Sequence, residues 1–373
     1  MRKIRVLVVD DSHFLQRTLP PLLESDPEIQ VIGVAKNGVE AIQKARELRP
    51  DVITLDILMP VMDGLTALKH IIREIPTPVV MLSAQTQEGA RETVEALTLG
   101  AVDVVAKPSG PVSLDIARVR SQLLQKIKIA YVSRIQGIVG RRRPPSGDPA
   151  KPPRPASPIV DTPPTVVWRP GRQIVLVAIA SSTGGPAALQ RLLPTLPADL
   201  SAGLVIVQHI AKGFVKALAE RLNALSALQV KVAEDGEEVR AGVALIGPVG
   251  LHITVEHIHG KLLAPLQIEP RDALFRPSAD VLMYSAARAC GPQSCGVILT
   301  GMERDGAEGL KAIKERGGVT IAQDEDTSVV FGMPRAAIEL GAVHYVRSLE
   351  RIAPEICRLV GNRGTYDSFP LTR

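Results

Sequence analysis

Short continuous apolar runs alternate with amphipathic stretches over two separate parts of the chain. In the first part, residues 5–9, 30–35, 52–55, 79–82 and 103–106 read as strands, and 39–48 and 65–74 carry apolar residues at helical spacing. In the second part, strand-like runs fall at 174–180, 204–207, 230–233, 243–246, 252–255, 261–266, 295–299, 319–322 and 342–346, with a helical pattern over 214–225. A strand that is apolar at every position buries both faces, and strands of that kind alternating with helices predict doubly wound parallel sheets. The fold class is therefore α/β, with two such domains and no internal repeat. Between residues 141 and 170 lie ten prolines and almost no apolar periodicity. Such a stretch cannot build helix or sheet and reads as an extended tether. The expected division is 1–132, a linker over 133–172, and 173–365.

At 373 residues and 45% hydrophobic content the chain has material for two or three cores. No apolar run approaches the ~20 residues of a membrane span, and no signal-peptide pattern follows Met1, so a cytoplasmic protein without membrane insertion is expected. Cys290, Cys295 and Cys357 lack CxxC spacing and read as reduced core thiols. The net charge of +5 is concentrated in 133–172, where eight basic residues face only Asp148 and Asp161. With the folded parts close to neutral and aromatics at 3%, no nucleic-acid partner is expected.

The strands of the first part end in Asp10-Asp11, Asp56, Ser83 and Lys107-Pro108, all of which would gather at one sheet edge. Carboxylates collected beside a lysine need a counter-charge, which a Mg²⁺ ion held by carboxylate oxygens supplies. A carboxylate in that setting can take a phosphoryl group, and a hydroxyl and an ammonium can then hold the phosphoryl oxygens. These residues, with Val8-Val9-Asp10-Asp11-Ser12 and Leu55-Asp56-Ile57-Leu58-Met59-Pro60-Val61-Met62-Asp63-Gly64, resemble a response-regulator receiver domain of the flavodoxin-like type. The resemblance implies Asp56 as phosphoacceptor, Asp10, Asp11 and Asp56 around Mg²⁺ with a backbone carbonyl near Leu58, and Ser83 and Lys107 as phosphate sensors. Many receivers carry an aromatic switch residue three positions before the lysine, where this chain has Val104.

In the second part the strand 174–180 runs into Ser181-Ser182-Thr183-Gly184-Gly185-Pro186. Ser182 is the candidate nucleophile at the carboxyl edge of a sheet, although on this stretch alone a serine ahead of a Gly-Pro helix start is better explained by capping. Two further strands end at His209 and in the loop holding Asp305. A serine hydroxyl needs a base, and a histidine base works better with a carboxylate fixing its tautomer, so Ser182, His209 and Asp305 form a candidate triad. Backbone N–H groups of Thr183 or Met302 are candidate oxyanion donors. His252, His257 and His259 read as a solvated hairpin face, and no motif calls for a metal here.

Ala180–Pro186, Gln208-His209-Ile210, Glu234-Asp235-Gly236, Arg276-Pro277-Ser278-Ala279-Asp280, Leu299–Met302, Asp305-Gly306-Ala307 and Val330–Arg335 resemble the Rossmann-like α/β catalytic domain of chemotaxis protein-glutamate methylesterases. The resemblance implies hydrolysis of glutamate γ-methyl esters, with glutamine deamidation, on methyl-accepting chemotaxis receptors. It also implies a chemotaxis histidine kinase as phosphodonor, Ser182, His209 and Asp305 as triad, Met302 at the oxyanion hole, and no cofactor for the esterase reaction. A monomer is expected. The chain departs from the family pattern at Ala180-Ser181, usually Gly-Ala, and at Glu303, usually glycine. The competing reading is a non-enzymatic response regulator whose second domain binds a ligand or protein, holding an anion at the Ser-Thr-Gly-Gly turn. That reading leaves His209 and Asp305 without a role.

Overall fold

The structure, a computed structural model, describes residues 2–83, 87–107, 114–141 and 173–361. The proline-rich stretch 142–172 and Pro108 lie outside them. The first unit runs β1 (Ile4–Val9), α1 (His13–Glu24), β2 (Ile29–Ala35), α2 (Gly38–Leu48), β3 (Val52–Asp56), α3 (Gly64–Glu74), β4 (Val79–Ser83), α4 (Gln87–Leu99), β5 (Asp103–Ala106) and α5 (Leu114–Arg141). Its strands pair in parallel in the order β2-β1-β3-β4-β5. Every residue of β3 and β4 is buried, as their unbroken apolar runs require. Strand order reverses at β1, so Asp10, just past β1, and Asp56, ending β3, flank the crevice where such sheets bind ligands. Helix α5 continues to Arg141, past the expected boundary at 132.

The second unit runs β6 (Leu176–Ser181), α6 (Gly185–Leu192), β7 (Gly203–Gln208), α7 (Val215–Leu225), β8 (Gln229–Val232), β9 (Glu237–Glu238), β10 (Val243–Ile246), β11 (His252–Ile253), β12 (Glu256–Ile258), β13 (Lys261–Ala264) and β14 (Leu266–Gln267). It closes with α8 (Ala279–Cys290), β15 (Ser294–Ile298), α9 (Ala307–Glu315), β16 (Val319–Gln323), α10 (Met333–Glu339), β17 (Tyr345–Arg347) and α11 (Leu349–Val360). Seven parallel strands form one sheet in the order β17-β16-β15-β6-β7-β10-β8. The fully buried β6 is central, and the chain leaves it toward β7 on one side and returns to β15 on the other. That reversal puts the carboxyl ends of β6, β7 and β15 around one crevice, which is where Ser182, His209 and Asp305 emerge.

Two expected strands need correction, and two short strands were not expected. The strand expected over 261–266 breaks at Pro265, which has no N–H for the ladder; β13 pairs with β12 and β14 with β11, both antiparallel. The last strand begins at Tyr345 instead of 342, because Ala342 N donates to Ala337 O and its methyl is buried at the end of α10. The two-residue strand β9, purely acidic, and the half-exposed β12 carry no apolar alternation and were invisible to pattern reading.

The two units pack against each other through α4, α6 and α7. Thr98 Oγ1 donates to Gln190 Oε1 at 2.7 Å, and Arg91 lies 3.9 Å from Glu220. Val329 and Val330 of the second unit pack against the apolar cluster that lies under α1 and α5 of the first.

Candidate active site and phosphoacceptor cluster

In the first unit, Lys107 Nζ bridges Asp10 Oδ2 at 2.9 Å and Asp56 Oδ2 at 2.7 Å. Donor oxygens of Asp10, Asp11 and Asp56 lie within 4.8 Å of one another, a spacing and a set of hard ligands that fit a small divalent cation. Burial pushes the Asp56 carboxyl up to about 6, and the neighbouring Asp10 and Asp11 charges push the same way, while Lys107 opposes them. Burial would lower the Lys107 ammonium, but Asp56 and Asp10 outweigh it and hold the group above its ordinary value. Behind Asp56 the chain doubles back so closely that a Cβ on Gly64 would sit 1.9 Å from Asp56 O. Ser83 is fully buried, and its hydroxyl donates to Gly89 O at 3.2 Å and accepts from Thr93 Oγ1 at 2.7 Å. The structure thus turns that hydroxyl toward α4.

In the second unit, His209 Nε2 lies 2.9 Å from Asp305 Oδ2. An ionised carboxylate only accepts, so Nε2 carries the hydrogen of this bond, and in the neutral imidazole Nδ1 is the nitrogen with the lone pair. Nδ1 is buried and has no hydrogen-bond partner among the described residues. The Phe275 ring stacks on the imidazole with centroids 4.3 Å apart, fixing its plane. Burial alone would raise the Asp305 carboxyl, but hydrogen bonds from His209 and from the Ala279 and Asp280 backbone hold it below the usual range.

The adjacent serines are sorted by the pleat. Ser181, the last residue of β6, is buried and donates to Gln208 Oε1 at 2.7 Å. Ser182 lies past the strand, is only partly buried, and its hydroxyl makes no hydrogen bond among the described residues. Its backbone is tied on both sides, with its N–H donating to Thr300 O at 3.0 Å and its carbonyl accepting from Gly185 N and from Gln208 Nε2. Gln208 Nε2 also donates to His209 O at 2.8 Å, so one buried amide fixes the main chain of both candidate nucleophile and candidate base. A Cβ at Gly185 would lie 2.0 Å from Gln208 Oε1, which explains why this turn requires glycine. Thr300 Oγ1 holds the Thr183 carbonyl at 3.0 Å. The backbone N–H groups of Thr183 and Met302 donate to no acceptor among the described residues, as an oxyanion site requires.

Sequence reasoning placed His252 on a solvated hairpin face, and this is wrong. The residue is fully buried, with Nε2 at 3.1 Å from Pro270 O and Nδ1 accepting from Ser278 N at 3.1 Å. Its apolar neighbours in sequence, buried Ile253 and Val255, were the available signal. His257 and His259 are exposed as expected. Phe275 was missed, and Gln208 and Ser278 were named only as motif residues without a role, because only the tertiary fold shows what they hold.

The first unit reaches the rim of this crevice. Thr183 Oγ1 donates to Asp103 Oδ2 at 2.6 Å, and Gln125 Nε2 on α5 donates to Glu303 Oε1 at 2.9 Å beside Met302.

The chain matches the CheB methylesterase family over residues 177–356 and the response regulator receiver domain over residues 6–118. It is similar to a Pyrococcus abyssi (strain GE5 / Orsay) protein named protein-glutamate methylesterase/protein-glutamine glutaminase, at 43% identity over 99% of this chain and 98% of that one. A Geobacillus kaustophilus (strain HTA426) protein of the same name is 46% identical over 97% of this chain and 100% of its own length. The crystal structure of the Thermotoga maritima CheB methylesterase catalytic domain is 41% identical, covers 50% of this chain and 98% of that one, and has a TM-score of 0.49. No helix among the described residues is long and apolar enough to cross a membrane.

Proposed function

The chain belongs to the protein-glutamate methylesterases/protein-glutamine glutaminases that carry a receiver domain, and from that premise we propose that Ser182, His209 and Asp305 hydrolyse glutamate γ-methyl esters on chemoreceptors under control of Asp56 phosphorylation. The observation that carries this reading is the bare, buried Nδ1 of an imidazole whose other nitrogen is committed to Asp305.

In the reaction, Ser182 Oγ attacks the ester carbonyl carbon while His209 Nδ1 takes its proton. The new oxyanion accepts hydrogen bonds from Thr183 N and Met302 N, each donor contributing about 3–4 kcal/mol. Collapse breaks the C–O bond to the methoxy group, and His209 returns the proton so that methanol leaves and Ser182 is left as an ester. Water then attacks that ester, its proton passing to His209; the bond from the acyl carbon to Ser182 Oγ breaks, His209 returns the proton to Oγ, and glutamate and free Ser182 result. With a glutamine side chain the same steps release ammonia. Asp305 stabilises the imidazolium in both halves.

For regulation, Asp10, Asp11 and Asp56 would hold Mg²⁺, which supplies positive charge for the phosphoryl oxygens. A chemotaxis histidine kinase is the phosphodonor in this reading, and Lys107 and Ser83 sense the phosphoryl group on Asp56. Ser83 must turn its hydroxyl from Gly89 and Thr93 to do so. The contacts of Asp103 and Gln125 at the crevice support a receiver that restrains the site before phosphorylation. Their covalent connection in one chain keeps the units at high effective concentration when they part.

A serine-directed fluorophosphonate probe tests the catalytic half. Labelling that maps to Ser182 and disappears in His209→Ala is expected. Full labelling in His209→Ala, or none in the native chain with or without a phosphodonor, contradicts the triad and favours a binding domain.

A further inference from the structure

We infer that Ser278 is a positioning residue for the esterase reaction, holding the Asp305 carboxylate in the rotamer that orients His209; this rests on the triad reading above. Asp305 accepts two hydrogen bonds on each oxygen. His209 Nε2 at 2.9 Å and Ala279 N at 2.7 Å meet Oδ2, while Ser278 Oγ at 2.8 Å and Asp280 N at 3.0 Å meet Oδ1. Three of the four donors come from one short run, Ser278-Ala279-Asp280, at the start of α8. The carboxylate therefore seats on that helix end, and among the described residues the imidazole is the only donor from elsewhere.

Ser278 is the one side chain among those three, and the direction of its proton is determined. Its oxygen caps α8 by accepting from Val281 N at 3.4 Å, so its single hydrogen is left to point at Asp305. Its backbone is held from behind, since Ser278 N donates to Nδ1 of the buried His252, whose Nε2 faces Pro270 O. Without the hydroxyl, Oδ1 keeps only the longer bond from Asp280 N. The carboxylate can then rotate, and Oδ2 swings off Nε2. The imidazole loses the partner that fixes its tautomer, and Nδ1 no longer presents a lone pair to Ser182 in a fixed direction.

The test separates this role from helix capping. Glycine caps a helix start almost as well as serine but has no hydroxyl to donate, and threonine supplies both. The full chain carrying Ser278→Gly is assayed for methanol release from a methylated receptor fragment, beside Ser278→Thr, Asp305→Asn and the native chain. Ser278→Gly is expected to lower kcat by about tenfold or more, the effect of losing one charge-assisted hydrogen bond, with KM within about twofold of native. Ser278→Thr is expected to restore most of kcat. A Ser278→Gly enzyme with native kcat, while Asp305→Asn is inactive, overturns the inference and leaves the triad standing. An Asp305→Asn enzyme with native kcat removes the premise, and the role of Ser278 falls with it. A parallel rise in KM and fall in unfolding temperature in Ser278→Gly, without threonine rescue, assigns the residue to folding alone.

Discussion

Thr183, the residue after the candidate nucleophile, gives its hydroxyl proton to Asp103 of the receiver unit across 2.6 Å. Asp103 opens β5, and Lys107, just past the other end of that strand, bridges Asp10 and Asp56. A single short strand thus has the lysine that bridges Asp10 and Asp56 at one end and the turn of the candidate nucleophile at the other. The other oxygen of Asp103 is held by Lys126 Nζ at 2.5 Å and by Val104 N at 2.7 Å, so the carboxylate does not turn freely.

If that contact surface restrains the enzyme, weakening it raises activity before phosphorylation. Glu303 and Gln125 meet at the rim on exposed side chains, so the pair is worth at most about 1 kcal/mol. Glu303→Ala should therefore raise methanol release without phosphodonor by a fewfold and leave the phosphorylated rate close to native. An unchanged basal rate would mean that the glutamate, at a position where the family usually has glycine, does not contribute to docking.

The two serines should behave oppositely. Ser182→Ala is expected to abolish hydrolysis with little change in stability. Ser181→Ala strips the buried Gln208 Oε1 of its 2.7 Å donor, which costs about 1–3 kcal/mol, but should retain hydrolysis at a temperature where the protein stays folded. Thermal unfolding and methanol release on both variants check this, and an inactive, fully folded Ser181→Ala would reverse the assignment.

Asp280 provides a pH signature. Burial pushes its carboxyl up to about 6 from an ordinary 3.8, with the Asp305 and Glu308 charges adding and the Gly309 N–H opposing. Between those values the folded protein keeps a proton that the unfolded chain has released. Its stabilising contribution is complete below about pH 4 and lost as pH rises through 6. Asp280→Asn keeps an acceptor for Gly309 N and removes the titration. It should be more stable than the native chain by about 1 kcal/mol at pH 7.5, with the gap closing at pH 4. Equal gaps in unfolding temperature at both pH values would show that Asp280 is not raised.

Both parallel sheets were legible because their strands are buried on both faces and leave unbroken apolar runs, as in β6 and β7. The candidate triad was legible for a related reason, since polar residues directly after such runs must sit at the carboxyl edge. What surrounds the triad was not legible. The Gln208 amide reaches Ser182 O, and the Ser278 hydroxyl reaches Asp305, across 26 and 27 residues of chain, a relation without local periodicity. His252 was misplaced because a polar residue beside a turn usually faces water, and here two hydrogen bonds satisfy it in the interior. The β9 and β12 strands hold their backbone pairing without an apolar face, so propensity had nothing to detect.

The central claim is that a Ser182 esterase is released by phosphorylation of Asp56. It is tested most directly by methanol release from a methylated receptor cytoplasmic fragment, with and without a small phosphodonor. The native chain is run beside Ser182→Ala and Asp56→Asn. The account predicts release that rises with phosphodonor in the native chain, is absent in Ser182→Ala, and stays at its basal level in Asp56→Asn. Native-level release from Ser182→Ala, or full activation of Asp56→Asn by the phosphodonor, would contradict it.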